Sequence, residues 1–404
     1  MITSKINTAA LNIEIFESIN LLPSSVFQDF LPKNSCLLSQ NYFSNLENTL
    51  QDEFKFRYAV FSSETNIVGL AFFQIIQVEG NLLNDREIKP KANTETSSSW
   101  VDYGKDKMRN LFNAYKFRML ICGNTLMTGA RNFFYNSDCL NDELAFEYLN
   151  KAIEKIKQQA RSAGHPISLV MVKDFESSQL PHAKQLAKYG FHEVQGQPNM
   201  VMNIRPEWQT YDDYLASMSS KYRVRAKKMR KKAAKLYKKE LDLNEMQIFE
   251  EQIYHLYQEV ASKAELNLTY LNKTYFTAQK QAFGDQFHVI GYFLEDKLVA
   301  FICNYVDGQH VESHFVGYDY SLNRPYALYN NILYDIVELG INRGVQQISF
   351  GRTSSEIKST VGAVGLHLNS FVRHKNMVFN AVLNRIINQL RADEWTPRNP
   401  FKNQ

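Results

Sequence analysis

The chain has 404 residues, 44% hydrophobic and 22% charged, with 27 Phe and 22 Tyr, a globular composition long enough for two domains of ordinary size and large cores. Basic and acidic residues nearly balance, 46 against 42, which excludes a globally polycationic or polyacidic protein. Cys36, Cys122, Cys139 and Cys303 form no C-x-x-C pair, so neither a zinc site nor a disulfide framework is implied, and no apolar run approaches the roughly 20 residues of a membrane span.

FKFRYAVFSS and NIVGLAFFQIIQVEG, within residues 54–80, are dominated by β-branched and aromatic residues and separated by SETN, which predicts a hairpin. The polar stretch 81–100 reads as a loop by its Asn, Ser and Pro content. FRMLICGN predicts a strand, and DELAFEYLNKAIEKIKQQARSAG an amphipathic helix stopped by Gly164. HPISLVMVKDF follows as a buried strand, HAKQLAKYG as a short helix closed by Gly190, and FHEVQGQPNMVMNI as a pair of strands.

The second half repeats this order. Residues 287–320 predict three strands joined at LEDK and VDGQ; YALYNNILYDIVELGINRG predicts a helix stopped by Gly344, with Pro325 just before its start. VQQISFG gives a strand and NSFVRHKNMVFNAVLNRIINQL a further strand and helix. Duplication of one α/β unit is the simplest account: two domains, 1–207 and 208–404, each a mixed and mainly antiparallel sheet flanked by helices, meeting near residues 204–210.

Between the halves, residues 220–239 carry eleven Lys or Arg and no acid, leaving 35 basic against 42 acidic residues elsewhere. Leu215, Met218, Tyr222, Ala226, Met229, Ala233 and Leu236 recur at spacings of three and four, so 211–239 reads as one helix, opened by a capping box at Thr210 and Asp213. A continuous helix of that length would extend about 43 Å. Its cations either meet an anionic ligand or are offset by the acidic stretch 244–264.

The order of elements in each half resembles the GNAT superfamily of N-acyltransferases. YDDYLASMSSKYRVRAKKMRKKAAKL looks like the helix that opens the second domain of FemAB-type peptidoglycan-bridge transferases. ISFGRTSSEIKSTVGA is similar to the FemAB-like stretch in which a strand ends in Phe-Gly-Arg, followed by a Lys and then a Gly. The resemblance implies tandem GNAT-like domains moving an acyl or aminoacyl group from acyl-CoA or aminoacyl-tRNA to an amine of a small molecule or lipid-linked envelope precursor. GNAT enzymes that use acetyl-CoA follow their central strand with an Arg/Gln-x-x-Gly-x-Gly/Ala loop. CGNTLMTGARN has the wrong glycine spacing and SLNRPY has no glycine, a departure shared with FemAB-type proteins.

Amide-forming acyl transfer needs a base for the amine and donors for the developing oxyanion. Alternation puts His310, Glu312 and His314 on one face of a strand. Many GNAT enzymes have a Glu on the corresponding strand, so Glu312 is the expected base, His314 a group that shares its proton, and Tyr318 an acid for the leaving group. His310 and His314 lie roughly 13 Å apart along a strand, too far to share an ion, and no metal is expected. FGRTSSEIKS supplies Gly351 for close backbone approach, Arg352 for a phosphate or carboxylate, Thr353 and Ser354 as hydroxyl donors, and Lys358 as a further charge. Arg223, Arg225 and Lys228 of the basic segment are expected to face the phosphates of the donor, whether CoA or aminoacyl-tRNA, or those of a lipid-linked acceptor. The N-terminus lacks a basic region followed by an apolar one; a cytoplasmic protein touching membrane only peripherally is expected. The competing class is a non-catalytic module that holds nucleic acid or anionic membrane with the basic segment.

Overall fold

The computed structural model describes residues 11–63, 66–79, 116–129, 133–263, 270–381, 383 and 395–402. The loop expected at 81–100 lies outside these, as does most of the helix expected before residue 390. In chain order the strands are β1 (Asn12–Phe16), β2 (Phe54–Ser63), β3 (Asn66–Glu79), β4 (Lys116–Cys122), β5 (Phe133–Tyr135), β6 (Ile167–Phe175), β7 (His192–Gln195), β8 (Asn199–Asn203), β9 (Leu236–Glu240), β10 (Phe287–Leu294), β11 (Lys297–Asp307), β12 (His310–Tyr318), β13 (Gln347–Ser349), β14 (Val364–Leu366) and β15 (Asn369–His374). The α-helices are α1 (Gln40–Leu50), α2 (Asp142–Ser162), α3 (Leu180–Ala183), α4 (Tyr211–Ser217), α5 (Ser220–Lys232), α6 (Leu243–Ile248), α7 (Glu250–Ala261), α8 (Tyr275–Phe283), α9 (Tyr320–Tyr326), α10 (Leu328–Asn342) and α11 (Ser355–Ser359).

Two mixed sheets result. The first runs β1-β2-β3-β4-β6-β15-β7, with β5 beside β3, and the second runs β14-β8-β13-β12-β11-β10-β9. Each is antiparallel except for one parallel pair, β4 with β6 and β12 with β13, the strands flanking the long helices α2 and α10. The strand beyond each parallel pair comes from the other half. β15 joins the first sheet against β6, and β8 joins the second against β13. A cut at 207/208 therefore leaves each half holding a strand that pairs in its partner's sheet.

Apolar alternation on the strands determines the layers. α2 covers the outer face of the first sheet through Phe146, Leu149 and Ile153, and α10 covers the outer face of the second through Ile332, Ile336 and Val337. The inner faces share one core, where Phe72 and Ile76 of the first half meet Phe287 and Tyr305 of the second around α1, α7 and α8. Polar contacts fasten the same seam: Cys36 N–H and Ser35 Oγ donate to Asp307 at 2.6 and 2.8 Å.

The basic segment is not one helix. The Thr210–Asp213 capping box forms, but the helix stops at Ser217, because Met218 is fully buried in extended conformation and bridges Phe401. α5 then ends at Lys232, and Leu236–Glu240 is an edge strand paired with β10. Lysines suit such an edge, since their charge discourages pairing with another chain. Pro325 also lies inside α9, not before a helix; Ala327, at φ 52°, separates α9 from α10. Among the described residues no helix is long and apolar enough to cross a membrane.

Candidate active site

The parallel ladder of β12 with β13 pairs only His310–Glu312 with Gln347–Ser349, whereas β12 stays paired with β11 as far as Tyr318. Beyond Glu312 and Ser349 the two strands part. Phe350 and Gly351 turn away to continue hydrogen bonding with Met200 of β8, N–H to carbonyl at 2.8 and 3.1 Å. The gap is a cavity of about 200 Å³. Glu312 to Val316 form one wall and Ser349 to Thr353 the other; Tyr329, Ile332, Leu333 and Ile336 of α10 close one side, and Leu126 to Thr128 of the first half close another. The register of β12 slips one residue opposite Cys303 and Asn304, making His314 a bulge. His314 and Phe315 consequently both contact Tyr275.

Of the residues expected to act, Glu312, His314, Gly351, Arg352, Thr353 and Lys358 line this one cavity. Glu312 is 8% exposed and stands directly across the ladder from Ser349. Lys358, 4% exposed, donates from Nζ to the carbonyls of Gly351 and Arg352 at 3.1 and 2.7 Å. An ammonium has three N–H donors, so one is left for the cavity. Burial pushes the Lys358 amine down to about 7. His314 accepts or donates through Nε2 to the Tyr275 hydroxyl at 2.8 Å, while Nδ1 is buried without a partner among the described residues. Burial lowers its pKa to about 3, so it is neutral at neutral pH.

The turn after β13 is held in uncommon backbone. Gly351, Thr353 and Ser354 have φ of 72°, 66° and 51°, and left-handed Thr is costly enough that its surroundings must enforce it. Ser354 hydrogen-bonds Tyr329, whose hydroxyl burial raises to about 12. Arg352 does not pair with Glu356, which binds Arg398 instead. It reaches across the seam to Asp174, a fully buried carboxylate that also accepts from Gly129 N–H at 3.2 Å and pairs with Lys173 at 3.0 Å. Burial alone would raise the Asp174 carboxyl, but Lys173 and Arg352 hold it below its ordinary value. Arg352 Nε is buried without an acceptor among the described residues.

The roof loop after β4 is pinned by first-half groups. Lys173 Nζ donates to the carbonyls of Asn124 and Met127 at 2.6 and 2.7 Å, and Gln74 accepts from Thr125 N–H and hydroxyl at 2.8 Å each. Sequence reasoning did not single out Lys173 or Asp174, and it considered the loop CGNTLMTGARN only as a CoA loop, for which the glycine spacing is wrong. The available signal was the adjacent pair of opposite charges closing the otherwise apolar strand HPISLVMVKDF.

Five of the residues named from the sequence lie elsewhere. Tyr318 packs at a tilt against Tyr320 and Tyr329, ring centroids 4.8 and 6.1 Å apart, and is not part of the cavity lining. Arg223 is half-buried and donates to the Met218 carbonyl at 3.4 Å. Arg225 and Lys228 are exposed on α5. His310 is exposed at the far end of β12. Among the described residues no group of three or more His, Cys, Asp or Glu is arranged to hold a metal ion.

A family model described as FemAB-like, peptidoglycan biosynthesis/recognition, matches residues 123–402. No curated protein matches the chain at a significant level. Among solved structures, a tandem GNAT protein from the clavulanic acid biosynthesis pathway is 8% identical, with a TM-score of 0.53 over 90% of this chain and 99% of that one. FemX is 12% identical, with a TM-score of 0.49 over 88% and 94%. L-PGS from Bacillus licheniformis is 9% identical, with a TM-score of 0.42 over 85% and 96%. The likeness to the tandem GNAT protein is one of fold: two mixed sheets flanked by helices, arranged in tandem.

Proposed function

The chain belongs to the FemAB-like family, and we propose that it is an N-acyltransferase that joins an acyl or aminoacyl group to an amine of a small molecule or cell-envelope precursor. The observation that carries this reading is the parting of β12 from β13, which gathers Glu312, Lys358 and Arg352 around one small cavity at a strand end. The acceptor amine attacks the acyl carbonyl carbon; an N–C bond forms, and the C–O bond of an ester donor or C–S bond of a thioester breaks. Glu312 takes the amine proton and returns it to the departing oxygen or sulfur, so the proton count closes within the cavity. The free N–H of Lys358 and Nε–H of Arg352 are the available donors for the tetrahedral oxyanion. His314, held neutral, is a hydrogen-bonding group and not a proton carrier.

The donor is an activated, phosphate-bearing molecule, acyl-CoA or aminoacyl-tRNA. Lys221, Arg225 and Lys228 support this, being exposed on α5 without a carboxylate partner among the described residues. Thermal shift against an acyl-CoA series and against aminoacyl-tRNA tests it. One donor class should raise the melting temperature, since a ligand at 100 times its Kd stabilises by about 2.7 kcal/mol, and Arg352→Met should weaken the shift. Binding of tRNA or anionic vesicles with no amide formed from any donor would favour the non-catalytic reading.

A further inference from the structure

The stretch Trp395–Lys402 runs between the basic helix and the helix that carries Lys358. At one end, Phe401 sits among Trp208, Tyr214 and the Arg205 guanidinium, at 5.3, 6.2 and 4.4 Å. Pro400 accepts from Ser219 N–H at 2.9 Å, and Lys402 N–H donates to the Ser217 carbonyl at 3.1 Å, so this end holds the α4–α5 junction. At the other end, Arg398 N–H donates to Ser359 Oγ at 3.0 Å, and its guanidinium binds Glu356, both on α11. Phe401 also presses directly on the turn after α11: a Cβ on Gly362 would come within 2.5 Å of its ring. That turn is bonded to α11, with Val361 N–H donating to the Lys358 carbonyl at 3.2 Å.

We propose that Trp395–Lys402 is a strap that positions Lys358, with Phe401 as its anchor and Ser359 as its contact on α11. The exposed Arg398–Glu356 pair adds little in water; the packed ring and the buried Ser359 hydroxyl set the helix. Lys358 reaches the Gly351 and Arg352 carbonyls only while α11 keeps its angle, and the charged groups around it are Glu312 across the cavity, Arg352 in the turn, the Asp174–Lys173 pair behind Arg352, and Glu356 and Arg398 outside. Phe401 touches none of the reacting atoms and is a positioning residue.

The proposal rests on the acyl-transfer reading for its catalytic consequence, but its geometry can be read without turnover. In the full chain, pulsed acetic anhydride labelling of Lys358 across pH, followed by mass spectrometry, reports the state of that amine directly. Phe401→Ala should move the Lys358 labelling curve toward that of an ordinary lysine, and Phe401→Leu should restore it. With substrates, Phe401→Ala should lower kcat roughly tenfold to a hundredfold at little changed KM, as a small misplacement of a catalytic group does. Ser359→Ala, which leaves the aromatic cluster intact, should give the same labelling shift in smaller degree. An unchanged labelling curve in Phe401→Ala and Ser359→Ala would overturn the strap, whatever their melting temperatures. A shifted curve with no acyl transfer by the wild type would instead leave the strap standing and remove the catalytic reading.

Discussion

Lys358, 4% exposed, is more buried than the other charged residues of the cavity wall, Glu312 and Arg352. Two carbonyls share its protons while burial brings its pKa to about 7. The ammonium is present below that pH and lost above it, so oxyanion stabilisation by Lys358 predicts a rate that declines as pH rises through about 7. Lys358→Met should abolish this alkaline limb and reduce kcat/KM by about 10²–10³-fold at pH 6, the effect typical of one lost oxyanion donor. Stability should move oppositely. A folded-state pKa below the unfolded value means that the unfolded chain binds more protons between about 7 and the ordinary lysine range, so wild-type stability should rise with pH across that interval and the Met variant should lack that slope. Urea midpoints measured against pH check the second part, and initial rates the first. Glu312 and the Phe350–Ser354 turn were legible in the sequence, because alternation and a strand followed by Gly-Arg-Thr-Ser are local signals. Asp174 was not, since its partner Arg352 is 178 residues away.

Among the elements, β12 is the one whose irregularity makes the site: a short parallel ladder opens the cleft and a bulge turns His314 and Phe315 to one face. The hairpins around it were readable from alternation and from turns at Glu295–Asp296 and Gly308–Gln309. The basic segment was misread as one helix because charge and spacing of three and four say nothing about what a chain end elsewhere will bury. Phe401 draws Met218 out of helical conformation, and pairing with β10 draws Leu236–Glu240 into a strand. Its charges divide accordingly. Arg230 and Lys238 bind Asp335 and Glu338, and Lys239 binds Glu245, while Lys221, Arg225 and Lys228 have no carboxylate among the described residues. Charge reversal of Arg225 and Lys228 together should raise KM for the anionic donor roughly tenfold at low salt and progressively less as salt rises. The melting temperature should stay within about a degree or two, since neither residue is buried. Steady-state kinetics at two ionic strengths decide it; an unchanged KM for donor and acceptor would make the run a solvated face.

At the scale of the molecule, two similar units share a core and exchange a strand, and the cavity opens between strands of the second. The first unit's parallel pair, β4 with β6, stays paired from Arg118 to Cys122 with one register shift after Arg118, and the loop that follows β4 roofs the other unit's cavity. The duplicated order was visible because each half repeats the same succession of periodicities. The exchange of β8 and β15 was not, because a strand's sequence records that it pairs but not with which sheet. The division of labour that follows, chemistry in the second unit and support from the first, is the central claim. Its most direct test is the single-turnover rate of amide formation by Glu312→Gln, measured with saturating donor and acceptor alongside a melting curve. The account predicts a rate lower by roughly 10²–10⁴-fold, as for loss of a general base, with a near wild-type melting temperature. A Glu312→Gln enzyme that forms the amide at the wild-type rate would contradict it.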